Sequence, residues 1–318
     1  MLHILEITVP FFALIAAGYA GVRLGWIDVD AVRPLNSFVL FVALPCMLFK
    51  FSSGLHISAL WSDPFLLIYG VAGLCLLFML MALERWRGTS WKEGAFVSLV
   101  GAFPNNGFMG VPMLALMLGS ASATPAVAMV LFDMVITSSL AVAASRLDGQ
   151  GWTQAVQALR KALQGVMSNP MLWAILAGAA LAWSEFPLPG VVQTPVWMMA
   201  QAATPVALFT LGGILARSHI QGHAPLRQQK VGYVVFAKLM VHPALVALVV
   251  AGVSTLGVNI DPSSALAMML VASLPSASNV TFLAERMGGD ATWVARIIMW
   301  STVWAFFTFV AWSWLLQT

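Results

Sequence analysis

Long apolar runs alternate with brief polar connections along this chain, and ten of the runs reach the length a helix needs to cross a bilayer. They are Ile4–Gly21, Pro34–Ser53, Pro64–Leu83, Gly94–Gly119, Thr124–Ser145, Asn169–Trp183, Thr194–Ala216, Val231–Leu256, Ser264–Ala284 and Thr292–Leu316. The pattern predicts an all-α polytopic membrane protein with ten transmembrane helices. The fourth run departs from an ordinary spanning helix between Gly101 and Pro112, where it holds Pro104, Asn105, Asn106, Gly107, Gly110 and Pro112. Pro104 has no amide hydrogen and its ring crowds the preceding turn, so a helix stops or kinks there. Lipid cannot satisfy the backbone groups this frees, and such a break is stable only inside protein or against a water-filled cavity.

Composition agrees with the pattern. Hydrophobic residues make up 60%, charged residues 8%, and the mean hydropathy is +0.90, far too apolar for a soluble globule. The first run carries Glu6 and lacks a basic leader, so it reads as a span and not as a cleavable signal. The longest connection, Arg146 to Ser168, leaves no room for a soluble catalytic domain, and no phosphate-binding loop motif occurs. Cys46 and Cys75 each sit within apolar sequence and read as buried thiols. Twelve of the fifteen lysines and arginines fall in the odd-numbered connections and none in the even-numbered ones, which predicts both termini on the extracytoplasmic side.

An internal repeat organises the spans. Pro10 to Gly18 in span one matches Pro170 to Gly178 in span six at an offset of 160 residues, and Pro45 to Phe49 in span two matches Pro205 to Phe209 in span seven at the same offset. Spans four and nine pair through Pro104 and Pro275. The chain therefore reads as a first five-helix repeat over residues 1–160 and a second over 161–318; five being odd, the second enters the membrane inverted. Paired breaks in corresponding positions of inverted halves point to a midplane binding site.

Chemistry at the breaks favours an anion. After each break a half-helix begins, directing free amides and a partial positive charge at the midplane. Asn105, Asn106, Ser276, Ser278 and Asn279 add neutral hydrogen-bonding groups. The helix ends preceding the breaks expose carbonyls, so a cation is also admissible. Ionisable residues within spans are costly unless paired or wetted, and Asp133, Lys238 and His242 are the deep ones, Lys238 and His242 lying one turn apart. They fit a structural Asp133 to Lys238 pair or an ion-coupling group. Lys50 and Arg296 are near enough to span ends to snorkel, while His3, His56, His219 and His223 fall in polar connections without metal-ligand spacing. Most of the thirteen tryptophans, including Trp26, Trp61, Trp91, Trp152 and Trp293, read as interfacial anchors. No cofactor, metal or nucleic acid is implied.

The run Pro10 to Gly18, the segment Leu35-Asn36 through Pro45 to Phe49, the break from Phe103 to Pro112, and Pro275 to Asn279 followed by Phe282 to Glu285 together resemble the auxin efflux carrier family. Its bacterial members are often labelled malonate or malate transporters. The resemblance implies a scaffold and homodimer face from spans one, two, six and seven, and a transport unit from spans three to five and eight to ten. Spans four and nine would cross at their breaks to hold a carboxylate, with Asn105 and Asn169-Pro170 matching family positions. The long cytoplasmic loop of the plant carriers is missing. The implied function is a secondary transporter of small organic anions, such as malonate, malate or auxin-like acids, working by an elevator-type alternating-access mechanism in a bacterial inner membrane, with a proton or sodium as coupling ion. The competing readings are an intramembrane enzyme, for which no His-Glu-x-x-His or Gly-x-Ser-x-Gly motif is present, and a membrane sensor, for which no output domain is present.

Overall fold

A computed structural model describes residues 2–54, 64–119, 122–148, 151–184, 187–221 and 231–317. His56, Trp61, His223, Arg227 and Lys230 lie outside the described residues, as do the side chains of Trp152 and His219. Among the described residues the regular structure is helical. The helices are α1 (Leu2–Arg23), α2 (Val29–Ser52), α3 (Phe65–Trp86), α4 (Trp91–Ala102), α5 (Asn106–Leu118), α6 (Thr124–Ala144), α7 (Gly151–Met167), α8 (Pro170–Ser184), α9 (Gly190–Gln221), α10 (Gly232–Thr255), α11 (Pro262–Ala272), α12 (Asn279–Met287) and α13 (Ala291–Gln317). Seven of them, α1, α2, α3, α6, α9, α10 and α13, are long and apolar enough to cross a membrane; α5 and α11 are apolar but shorter. The predicted fourth and ninth spans are thus each two short helices. The stretch from Arg146 to Ser168, expected as a polar connection, contains the 17-residue α7.

Prolines shape the long helices without ending them. Five-residue π segments occur at Val39–Ala43, Asn106–Gly110, Asp133–Thr137 and Ala237–Val241. Three of these stop two residues short of a proline, namely Pro45, Pro112 and Pro243. A proline ring presses on the carbonyl four residues back and withholds the amide that carbonyl would use; widening the turn relieves the crowding. In α10 the carbonyl four residues before Pro243 is that of Leu239, and it accepts a 3.0 Å hydrogen bond from Trp312 Nε1 of α13.

The helices divide into two compact units. The first comprises residues Met1–Ser62, Asn106–Ala128 and Asn169–His223. Its helices meet backbone to backbone at glycines, as membrane helices do when small residues line the seam. A Cβ at Gly18 of α1 would lie 1.9 Å from the Phe209 carbonyl oxygen of α9, and one at Gly178 of α8 would lie 2.6 Å from the Phe49 carbonyl oxygen of α2. These two contacts exchange partners across the offset of 160 read in the sequence.

The second unit comprises Asp63–Asn105, Met129–Ser168 and Ala224–Thr318. At one end of it, four connections are tied together. Asp148, which follows α6, accepts 2.9 Å hydrogen bonds from the amides of Trp91 and Lys92 at the start of α4. Glu93 accepts one of 2.8 Å from the amide of Asp290, before α13, and Tyr233 donates to the buried Glu84 near the end of α3. Every residue of α4 from Gly94 to Ala102 is buried, which its small residues permit: a Cβ at Gly101 would already meet Leu80 at 2.4 Å.

Candidate functional site

The two breaks lie side by side within the second unit and run antiparallel. Pro104 and Ser276 form an isolated bridge, closed by a 2.9 Å bond from the Asn105 amide to the Pro275 carbonyl and a 3.0 Å bond from the Ala277 amide to the Phe103 carbonyl. The local two-fold of this bridge relates Pro104 to Ser276, so the spatial register is one residue off the proline-to-proline match read in the sequence. The exchange removes two backbone donors and two acceptors from the list of groups that the breaks would otherwise strand. A third donor, the Ser276 amide, is taken by Ser301 Oγ of α13 at 3.1 Å.

Side chains at the crossing are less completely paired. Asn105 is 3% exposed and its Nδ2 has no partner among the described residues; the hydroxyls of Ser276 and Ser278, both buried, likewise have none, nor does that of Thr281 one turn into α12. A buried polar atom without a partner costs roughly 1–3 kcal/mol, and a group of them in a native fold requires an explanation. Here they surround the amino end of α12, which has no side-chain cap; the amides of Val280 and Thr281 turn back to the Ala277 and Ser278 carbonyls at 3.4 and 3.3 Å. Amide and hydroxyl donors with no countercharge suit a small anion with several acceptor oxygens.

The carbonyl end that precedes the second break is closed in full. The carbonyls of Met269 and Val271 accept from the amides of Ser273 and Leu274, each at 3.1 Å, and that of Leu270 accepts from Ser273 Oγ at 2.8 Å. The last, Ala272, accepts from Lys238 Nζ at 2.6 Å. Lys238 is wholly buried, with His242 Nδ1 3.2 Å from its ammonium. Asp133 acts on Lys238 electrostatically, while the Asp133 carboxylate itself receives hydrogen bonds from Tyr69 at 2.6 Å and Thr137 at 3.0 Å. Asp133 and Lys238 thus share their surroundings with Tyr69, Thr137 and His242. His242 Nε2 has no partner among the described residues.

Of the residues singled out in the sequence, Pro104, Asn105, Pro275, Ser276 and Ser278 are buried together at the crossing. Asn279 opens α12 but its side chain is exposed. Asn106 and Asn169 belong to the first unit, where Asn106 is buried at the head of α5 and Asn169 accepts the Met171 amide at 2.9 Å, capping α8. Lys50 lies over the Trp197 ring, 6.0 Å from its centroid. Sequence reasoning missed Tyr69, Ser301 and Trp312. Tyr69 had a signal, being one of only three tyrosines, whereas a serine or tryptophan inside a span carries none.

A chain helical through its described residues, with several helices long and apolar enough to cross a membrane, is a multi-span membrane protein in class. The family model described as membrane transport protein matches residues 3–313, and the chain belongs to that family, the auxin efflux carriers. It is 31% identical over 292 residues to a Rhizobium meliloti protein named "Putative malonate transporter", covering 91% of this chain and 88% of the relative. It is also 22% identical over 280 residues to the "Uncharacterized transporter YfdV" of Escherichia coli K12, covering 87% and 86%. An "Uncharacterized transporter" of Methanothermobacter thermautotrophicus is 24% identical over 310 residues, 97% of each chain.

Proposed function

We propose that this chain is a secondary transporter of small carboxylates, with malonate-like dicarboxylates as the first candidates, and that the substrate sits where the two breaks cross. The observation that carries this is the cluster of buried, unpartnered donors, Asn105 Nδ2 with the hydroxyls of Ser276 and Ser278, beside the amino end of α12. A carboxylate would accept from these donors and supply the partners that the protein withholds. The malonate name of the Rhizobium meliloti relative supports the substrate class.

The ten-span inverted-repeat reading takes α4 with α5, and α11 with α12, as broken spans. Its support is the exchange of Gly18–Phe209 for Gly178–Phe49 at a common offset, and the local two-fold of the Pro104–Ser276 bridge. The elevator mechanism takes support from the composition of the units: α1, α2, α8 and α9, the expected scaffold, fall in the first, and α3, α4, most of α6, α7 and α10–α13 fall in the second, while α5 and the start of α6 depart from the expected split by falling in the first. The connections tied together at one end of the second unit are the odd-numbered ones, in keeping with the positive-inside assignment.

The test is gradient-driven uptake of malonate, malate and monocarboxylates by purified protein in liposomes, alongside thermal stabilisation by the same panel. Saturable uptake with a matching rise in melting temperature is expected. Absence of both across the panel would sink the assignment.

A further inference from the structure

Carboxylates at the tied end of the second unit are spent on the chain itself. Asp148 accepts from the Trp91 and Lys92 amides, Glu93 from the Asp290 amide, and Asp290 from the Trp293 amide at 2.9 Å. The buried Glu84 takes the hydroxyls of Tyr233 and Thr89. Three residues past Asp148 begins α7, whose seventeen residues from Gly151 to Met167 include Arg160 and Lys161 and no acidic residue. Neither of these two has an ion-pair partner among the described residues.

At about 3.6 residues per turn, Thr153, Gln154, Gln157, Arg160, Lys161 and Gln164 fall on one side of α7 and its larger apolar residues on the other. The helix packs on Ser138–Ala144 of α6, yet none of its described side chains is fully buried. Val156, Leu163 and Met167, two turns and then one turn apart, form a single stripe and are 49%, 40% and 52% exposed. Arg160 borders that stripe in the helical register. Bulk water would leave the stripe solvated, and the bilayer core would strand the glutamines and both cations. The boundary between headgroups and acyl chains satisfies each side, because long basic side chains reach from it to the phosphates.

We propose that α7 is an interfacial helix that docks on anionic phospholipid headgroups, its Val156–Leu163–Met167 stripe entering the acyl boundary and Arg160 and Lys161 holding the phosphates. The complementarity is one of charge: the carboxylates near the start of α7 are engaged by amides and hydroxyls, and the two cations face the lipid without an internal competitor. Anionic lipid therefore collects beside α7 in preference to zwitterionic lipid. The docking is independent of which substrate the crossing holds. The positive-inside assignment decides only that the leaflet is the cytoplasmic one.

Full-length protein carrying Val156→Cys, with Cys46→Ala and Cys75→Ala, is labelled with bimane and reconstituted in phosphatidylcholine vesicles. One part in five of the lipid is brominated on its acyl chains, as phosphatidylglycerol in one set and as phosphatidylcholine in the other, so that quenching reads the lipid beside α7. At low salt the brominated phosphatidylglycerol should quench at least about twofold more strongly. That ratio should fall toward one in about 1 M salt, which screens exposed charges, and likewise in Arg160→Gln with Lys161→Gln at low salt. A label at Gln157→Cys, on the polar side, should be quenched less by either lipid and more by aqueous iodide. Equal quenching by the two lipids with Arg160 and Lys161 in place overturns the proposal, as does a ratio unmoved by high salt or by the double variant. A Val156→Cys label that neither lipid nor iodide quenches would mean that protein, such as a second copy of this chain, covers the stripe, and one quenched by iodide alone would mean that water does; either overturns it. If the double variant does not fold, the salt dependence decides.

Discussion

The two breaks share a backbone frame and differ in what completes it. At the second, all four terminal carbonyls of α11 are accepted for, the last by a buried ammonium, and the amide after Pro275 is held by Ser301. At the first, the Leu99 carbonyl receives the Phe103 amide, but Val100 would need an amide that Pro104 does not have, and the Asn105 amide that Gly101 would use goes to Pro275. The outer ends differ in the same sense: α11 is capped by its own Asp261, α4 by Ser90 and by Asp148 borrowed from beyond α6. One break is thus fixed by dedicated side chains from α10 and α13, and the other leans on its partner. Broken helices that look alike in sequence can divide the labour, one closed by side chains of neighbouring helices and the other held by the bridge and carrying the unpartnered Asn105 donor beside those of Ser276 and Ser278.

Removing that donor should give the largest separation between binding and stability. Asn105→Ala is expected to weaken malonate binding at least tenfold, about 1.4 kcal/mol, and to leave the ligand-free melting temperature unchanged or raised, because an unpartnered buried amide is lost. Titration of the variant by thermal shift checks it, and unchanged affinity would take Asn105 out of the site. Removing a fixing group should do the reverse. Ser301→Ala leaves the Ser276 amide buried without its acceptor, a loss of about 1–3 kcal/mol in stability that denaturation of the substrate-free protein would read.

A smaller effect is expected one step further out. Trp312→Phe keeps the ring packing but leaves the Leu239 carbonyl, displaced by Pro243, without its indole donor, for about 1 kcal/mol and a lower melting temperature. The smallest concerns the borrowed cap. Burial works to raise the Asp148 carboxyl, but the Lys92 and Trp91 amides, aided by Arg85 and Lys92 charges, prevail and hold it below the usual carboxylate value. A carboxyl lower in the folded state adds stability above its unfolded pKa, and that stability is lost as pH falls through the folded value. Asp148→Asn should flatten this acid-side dependence by a few tenths of a kcal/mol, the cap being exposed and screened. A variant with an unaltered acid limb would mean that α4 does not draw on the remote cap.

Much of the frame was legible because it is written in residue types with few uses. Pro104 and Pro275 in apolar sequence announce breaks, and Gly18 and Gly178 at a shared offset announce close packing. The network around Lys238 was only half legible. Its ionisable members stand out in apolar sequence, but the acceptor Lys238 finds is a backbone carbonyl, and every residue has one. The register of the crossing was out of reach for a related reason: the bridge is made by amides and carbonyls, so a one-residue shift from the proline match leaves no trace in side chains. The asymmetry between the breaks was hidden because Ser301 and Trp312 are ordinary residues in ordinary spans.

The reciprocal glycine contacts bear on how such a chain could arise. Where Gly18 meets Phe209 and Gly178 meets Phe49, a half-length ancestor would have met its twin through one patch used twice, Gly18 of each copy against Phe49 of the other. In that ancestor any substitution struck both sides of the seam at once. Within a single chain the two contacts are free to diverge, and Ser52 stands where the repeat offset places Gly212.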